Sequence, residues 1–278
     1  MRSILQDLLH VFYPRSYTLA NGKQIREKFS PIPYITILLI GLILYCMKIA
    51  GVDFGLLLAK GRNFWDMLER MIPPNWKYYD TMKKPMLDTI NMSLLGSVFG
   101  CAVALPVSFY LSGNFKLNKT YLAAHRVLLS LLRTLPTIVV ACYFRMVLGM
   151  GALVGTIAIS IFSYTICVKM MYEYIETVDM GPYEAMVSTG ASRPKCMLRA
   201  VWPQVKGYYI STVLYCFESN VKSAAILGYV GAGGIGQIIS GRLNLRRYAD
   251  LGLVLLFMTA TIVILEGIAR FARRKLVH

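Results

Sequence analysis

The sequence predicts an all-α, polytopic membrane bundle of about six transmembrane helices, and three observations predict it. Of 278 residues, 56% are hydrophobic and only 16% are charged, against about 25% charged in a soluble domain. Mean hydropathy is +0.53. The apolar residues also gather in runs long enough to cross a bilayer, which takes about 20 residues as a helix. The formal net charge of +16 sits mostly in short segments between those runs, as expected of loops that face anionic headgroups. Nucleic acid is not an expected partner, because no basic stripe with interleaved aromatics lies outside the apolar segments.

In chain order, the first 30 residues are polar and mixed in charge, with no short apolar core ahead of a small-residue cleavage site, so no signal peptide is expected. The first span runs from Tyr34 to Gly51 after Pro31 and Pro33, and the second from Leu87 to Leu111 with Pro106 near its end. The third covers Val127 to Leu148. Gly149 and Gly151 break the chain before a fourth, Ile- and Val-rich span from Ala152 to Met171. A polar stretch follows, then a fifth span from Tyr208 to Leu227 and a sixth from Leu251 to Ala269, closed by a basic tail at 270–275. Between the first two spans, residues 53–85 are too polar to cross. Apolar residues three and four apart there predict one or two amphipathic helices on the outer surface, with Trp65, Trp76, Tyr78 and Tyr79 at headgroup level; a solvated loop is the alternative. The expected organisation is an N-terminal extension over 1–85, with the first span and this amphipathic segment, followed by a transmembrane domain over 86–278.

Six spans place both termini on one side. Cytoplasmic loops are enriched in Lys and Arg, and the termini-inside arrangement puts Arg2, Arg15, Lys23, Arg26, Lys28, Lys116, Lys119, Arg126, Arg193, Lys195, Arg199, Lys206 and the tail within. The opposite side holds Lys60, Arg62, Arg70, Lys77, Lys83, Lys84, Arg242, Arg246 and Arg247. The margin in favour of termini inside is small.

Metal and cofactor chemistry are not expected on this chain. Cys46, Cys101, Cys142, Cys167 and Cys216 lie in apolar runs and Cys196 in a basic loop, none at metal-ligand spacing, and His10, His125 and His278 are scattered. The cysteines read as small packing residues. A membrane-embedded enzyme is disfavoured because the spans carry no HExxH, GxSxG or acidic cluster, and a secondary transporter because no internal repeat is visible.

The polar stretch from Asp179 to Pro194 is punctuated as two short helices. Asp179 or Gly181 can cap the first, Pro182 suits its first turn and Gly190 supplies the left-handed residue that ends it; Ser192 then caps a second. Tyr183, Met186 and Val187 share one face and would present an apolar knob to a partner's groove.

This loop resembles that of the inner-membrane permeases of ATP-binding-cassette importers, which carries Glu-Ala-Ala, three residues, Gly, nine residues, then Ile-x-Leu-Pro. Glu184, Ala185, Gly190 and Pro203 stand at those spacings, while Met186, Ala200 and Trp202 depart from the pattern. The wider context, GASRPKCMLRAVWPQVKGYYIS and then LYCFESNVKSAAILGYVGAGGIGQ, resembles the phosphonate-importer permeases of the PhnE type. The resemblance covers about residues 85–270. It implies a MetI-like permease fold in the bacterial inner membrane with both termini cytoplasmic, a coupling loop near 179–203, and ATPase-coupling roles for Tyr183, Glu184, Ala185, Met186, Gly190 and Pro203. It also implies a homodimer, two separate ATP-binding-cassette ATPase subunits that bind ATP and Mg, and an extracytoplasmic solute-binding protein. The cargo it implies is a phosphonate-type anion, with phosphite, a phosphate ester or methionine as alternatives. No GxxxxGK[ST] loop occurs in the chain, so the ATP site is expected on another subunit.

Two further groups stand out. Gly231-Ala232-Gly233-Gly234-Ile235-Gly236 matches GxGxxG, yet follows an apolar span rather than a strand, so the dinucleotide reading is rejected. These glycines are expected to make a tight re-entrant turn or close helix contact, or to gate the pathway. Ionisable groups at membrane depth are candidates for the pathway itself. Glu218, Asn220 and Lys222 lie in the fifth span and Arg145 near the outer end of the third; an anionic cargo needs positive charge along its route, which Arg145 and Lys222 could supply. Glu218 and Lys222, four apart with the acid first, could equally neutralise one another.

Overall fold

The computed structural model describes residues 16–18, 22, 24–26, 31–115 and 119–276. The expectations for the polar N-terminus, the absent signal peptide among them, fall largely outside the described residues, as do Arg2, Arg15, Lys23, Lys28 and Lys116. The chain divides into two compact units, Met1–Trp65 and Asp66–His278.

The first unit holds a short antiparallel ladder of β1 (Ser16–Thr18) and β2 (Gln24–Arg26), with Ser16 opposite Arg26. Helix α1 (Ile32–Ile49) follows; among its residues only Pro33 is buried. An isolated helix this apolar is stable with its side chains in lipid and not in water. Helix α2 (Phe54–Met71), whose residues from Asp66 on belong to the second unit, is amphipathic, and Trp65 on it is 66% exposed.

In the second unit a 3₁₀ turn (Trp76–Tyr78) leads into α3 (Tyr79–Leu111). A second 3₁₀ turn (Gly113–Phe115) is followed by α4 (Lys119–Thr134) and α5 (Thr137–Leu148). Then come α6 (Ala152–Ile175), α7 (Gly181–Ser188), α8 (Arg193–Cys196), a π-helical turn (Met197–Val201) and α9 (Trp202–Leu227). A 3₁₀ turn (Gly228–Val230), α10 (Ile235–Asn244) and α11 (Tyr248–Leu276) complete the described chain. Among the described residues, four helices are long and apolar enough to cross a bilayer, and two bent helix pairs raise the number to as many as six.

The central pair is α3 with α6. Small residues let the two backbones meet: a Cβ on Gly100 would lie 2.3 Å from the carbonyl oxygen of Ser160, and one on Gly96 2.6 Å from Ile159. Lipid supplies no hydrophobic drive between helices, so such close van der Waals contact has to hold them. The polar side chains inside this packing bond along their own helices, Ser93 to the Thr89 carbonyl and Ser97 to the Ser93 carbonyl. Cys101, Cys167, Cys196 and Cys216 are buried in one apolar core with Met171, Ile175 and Val205.

Two spans and one connecting segment differ from expectation. The third is not straight: α4 and α5 meet at 83°, because Pro136 offers no N–H and bars Leu135 from helical backbone. The fifth begins at Arg193 rather than Tyr208, since α8, the π turn and α9 run on as one rod. The π turn precedes Pro203, whose ring and missing N–H disrupt the regular ladder one turn back, and a wider turn absorbs that defect. The chain from Ile235 to Asn244, read as turn and loop, is helical. Tyr78 is also only 8% exposed, whereas Trp76 and Tyr79 are 62% and 44% exposed; its ring lies beneath the Arg242 guanidinium at 4.5 Å.

Candidate functional site

At one end of the bundle, α7 forms with Met180 at the N-cap position, where Asp179 or Gly181 was expected. Asp179 Oδ1 accepts from the Gly181 amide at 2.9 Å, and Gly190 ends the turn at φ +81. Ser192 holds the extended N-cap backbone of α8, without a side-chain cap bond. The apolar face of α7 is divided between two uses. Tyr183 is 9% exposed and meets Phe115 edge-on at 5.2 Å, and Met186 packs on the same core. Glu184, Ala185, Val187 and Ser188 face outward. A groove of about 410 Å³ beside them is lined by Asn114, Phe115, Tyr183, Glu184, Val187 and Arg193, among others. Pro203 does not face this groove; its place is the π-turned junction behind it.

The end that carries α7 is fastened by long side chains. Arg126 on α4 donates to the Leu111 carbonyl at 2.7 and 3.2 Å, stacks on Tyr172 at 4.5 Å and pairs with Glu176. Glu176 Oε1 also accepts from the Gly113 amide at 2.7 Å, and Asn114 donates to the Ile175 carbonyl at 2.9 Å. Gln204 reaches the Asp179 carbonyl at 3.0 Å, which ties the start of α7 to α9. Sequence reading missed this knot: Arg126 had registered only as a loop charge, and Glu176 lies 50 residues away.

Within the bundle, Asn220 on α9 donates to Ser97 Oγ at 2.7 Å and to Ser163 Oγ at 2.6 Å, which joins α3, α6 and α9 through one side chain. It is fully buried and faces neighbouring helices rather than an opening. Glu218 and Lys222 do pair, at 3.0 Å. Arg273 on α11 also donates to Glu218, at 2.8 Å, and Lys222 Nζ lies 3.9 Å from Glu266, itself bonded to Arg270 at 2.8 Å. The result is an alternating ladder of charges between α9 and α11. Part of the basic tail is therefore the last turns of α11, with Arg273 packed against α9.

At the opposite end, the glycine segment makes a corner in which a turn and a close contact coincide. Gly231 is left-handed at φ +80, and the Ala232 amide returns to the Leu227 carbonyl at 3.3 Å, the pattern of a glycine-ended helix. A Cβ on Gly236 would stand 2.0 Å from the Ala225 carbonyl oxygen, so only glycine lets α10 lie against α9. Gly233 and Gly234 are also at positive φ. The Ile235 amide donates to Thr89 Oγ1 at 2.7 Å, and Arg145 donates to the Val230 carbonyl at 3.0 Å. Arg145 thus meets the glycine corner, apart from Glu218, Asn220 and Lys222.

Known proteins similar in sequence to this chain are transport permeases. A phosphite transport system permease protein, PtxC, of Stutzerimonas stutzeri is 29% identical over 232 residues, 84% of each chain. A phosphate-import permease protein, PhnE, of Mycolicibacterium smegmatis is 31% identical over 182 residues, 66% of this chain and 34% of that one. Among solved structures, the inward-facing MetNI methionine ABC transporter superposes with a TM-score of 0.64 at 17% identity, over 73% of this chain and 99% of that one. Residues 96–277 match the family described as binding-protein-dependent transport system inner membrane component, and the chain belongs to that family of importer permeases.

Proposed function

We propose that this chain forms part of the translocation pathway for a phosphonate-type oxyanion, pairs with a second copy of itself, and is driven by two separate ATPase subunits that bind ATP and Mg. The observation that carries the coupling half of this reading is the divided face of α7. Tyr183 and Met186 anchor the helix to the bundle core while Glu184, Ala185, Val187 and Ser188 stay outside. A helix held on one side and free on the other can pass a push from a partner into the helices behind it. Gln204 ties its start to α9, and Arg126 and Glu176 join α3, α4 and α6 behind it. The termini then lie in the cytoplasm beside the ATPases, and the glycine corner faces the solute-binding protein outside.

The cargo reading is supported by the relatives that carry phosphite and phosphate in their names. Lys222, Glu218 and Arg145 are the charged groups proposed to meet or steer the anion, with Asn220 as a joint between the helices that move. Phosphite, a phosphate ester and methionine are the competing cargoes. The experiment is reconstitution with the co-encoded ATPase and binding protein, assayed for uptake of labelled methylphosphonate against phosphite, phosphate and methionine. Val187→Asp should leave the chain folded and abolish both ATPase co-purification and uptake; normal values for both would remove the coupling role of α7. Uptake of methionine alone would remove the oxyanion reading and leave the coupling role standing.

A further inference from the structure

The side of the bundle opposite α7 is nearly as basic as the α7 side, which a positive-inside protein does not need. The structure gathers part of that excess in one place. A depression of about 490 Å³ is lined by Arg70 near the end of α2, Asn75 and Lys77 in the turn before α3, and Arg246 and Arg247 between α10 and α11, with Asp250 as the acid in its wall. It lies at the end where α3 begins, since the Asn75 amide donates to the Ala249 carbonyl, whereas α7 lies at the end where α3 stops. Four cations therefore face one carboxylate. That carboxylate is already engaged by Asn75 at 2.7 Å, Arg242 at 3.8 Å and Arg247 at 3.9 Å. Among the described residues, Arg70, Lys77 and Arg246 take part in no ion pair.

Backbone geometry at Arg246 adds an independent observation. The Arg246 amide bonds the Leu243 carbonyl at 3.1 Å and the Arg247 amide the Arg242 carbonyl at 3.0 Å, the paired closure that puts a left-handed residue just past a helix end. Glycine fills such positions without strain. Here the residue is arginine at φ +53, the one non-glycine residue with positive φ among the described residues. Its side chain is exposed, so core packing does not account for it. Strained side chains held in this way concentrate where a ligand is gripped.

We propose that this depression binds a tetrahedral phosphoryl or phosphonyl oxyanion. Guanidinium groups offer two parallel donors to such a group, and unpaired cations beside them favour a ligand of net negative charge over a zwitterion. Ile72 and Trp76 flank the site and are 75% and 62% exposed, as residues at headgroup level are. The group can therefore come from the headgroup of an anionic phospholipid or from a soluble oxyanion; the site is the same for both. The inference does not rest on the cargo proposed above.

The test uses the full chain in phosphatidylcholine nanodiscs, with and without added phosphatidylglycerol. Arg246→Gly removes one cation while relieving the backbone, and Lys77→Gln removes another from an exposed position. Retention of phosphatidylglycerol through detergent exchange, read by mass spectrometry, should fall about tenfold in Arg246→Gly, the loss of one charge-assisted hydrogen bond. Its melting temperature should be unchanged or higher. That result assigns a lipid headgroup. Saturable binding of labelled orthophosphate in pure phosphatidylcholine discs, lost in both variants, assigns a soluble oxyanion. Retention and orthophosphate binding that match wild type in both variants would overturn the site, as would a lowered melting temperature for Arg246→Gly, which would make the arginine a packing residue.

Discussion

The two ends of the bundle are closed by different means. At the α7 end the closure is made of long side chains: Arg126 across to Glu176 and Leu111, Gln204 to Asp179, Tyr183 against Phe115. At the glycine end it is made of backbone in contact with backbone, Gly236 against Ala225 and Gly228, and Gly233 against Ala152. Side-chain links can release and re-form as an element shifts, because each is a few rotatable bonds long. Backbone contacts allow no such intermediate and separate or hold as a unit. Under the proposed function, the α7 end would follow a partner's movement while the glycine end acts as a seal.

The comparison is broken most severely at Gly236. Leucine there would drive a Cβ to within 2.0 Å of the Ala225 carbonyl oxygen and 2.8 Å of Gly228 Cα, neither of which is a flexible side chain that can turn aside. Gly236→Leu should cost about 3 kcal/mol or more, read as a large fall in melting temperature in detergent. Unchanged stability would mean that α10 does not lie on α9 as described.

A smaller effect is expected at the side-chain end. Arg126→Ala removes the side-chain donor to the Leu111 carbonyl and leaves Glu176 only the Gly113 amide, in a setting where both ionic side chains are about 30% exposed, at 29% and 31%. With the pair partly screened by solvent, the loss should be about 1–2 kcal/mol. A double-mutant cycle with Glu176→Gln should show that the two substitutions are not additive. Additive effects would sink the claim that the pair closes this end. Below it comes Gly190→Ala: the space around Gly190 is open, so the cost is backbone strain alone, about 1 kcal/mol. Its readout is increased hydrogen exchange confined to α7; exchange that spreads into α6 or α9 would show that the loop is a structural keystone instead of a local element.

Much of this was legible in the sequence, for separable reasons. Apolar run length found α1, α3, α6 and α11, because bilayer thickness fixes that quantity whatever the helices pack against. Gly190 was found because a left-handed helix end has a residue type of its own. The bend between α4 and α5 was written in the sequence at Leu135-Pro136 and was lost when hydropathy overrode the proline. Pro203 was noticed for its spacing from Gly190, while its physical consequence, the π turn from Met197 to Val201, requires treating it as a defect inside a longer helix. The Arg126–Glu176 pair was beyond reach, since only the folded packing of α4 against α6 brings residues 50 positions apart together.

Asn220 sharpens the comparison from the middle of the molecule, where the smallest effect is expected. Its amide joins Ser97 and Ser163 over sequence separations of 123 and 57 residues, yet its removal is not severe. Three features limit the cost. Ser97 keeps its own bond to the Ser93 carbonyl at 2.6 Å, and hydrogen bonds between membrane helices average only about 0.6 kcal/mol. Asn220 Oδ1 also has no partner among the described residues, so alanine removes an unpaired buried acceptor along with the two bonds. Asn220→Ala should therefore lower stability by about 1 kcal/mol while slowing uptake much more than that change in folding predicts, if the amide serves to hold three helices in register as they rock. A variant that lost stability and uptake in proportion would make Asn220 a packing residue and place the moving joint elsewhere along α9.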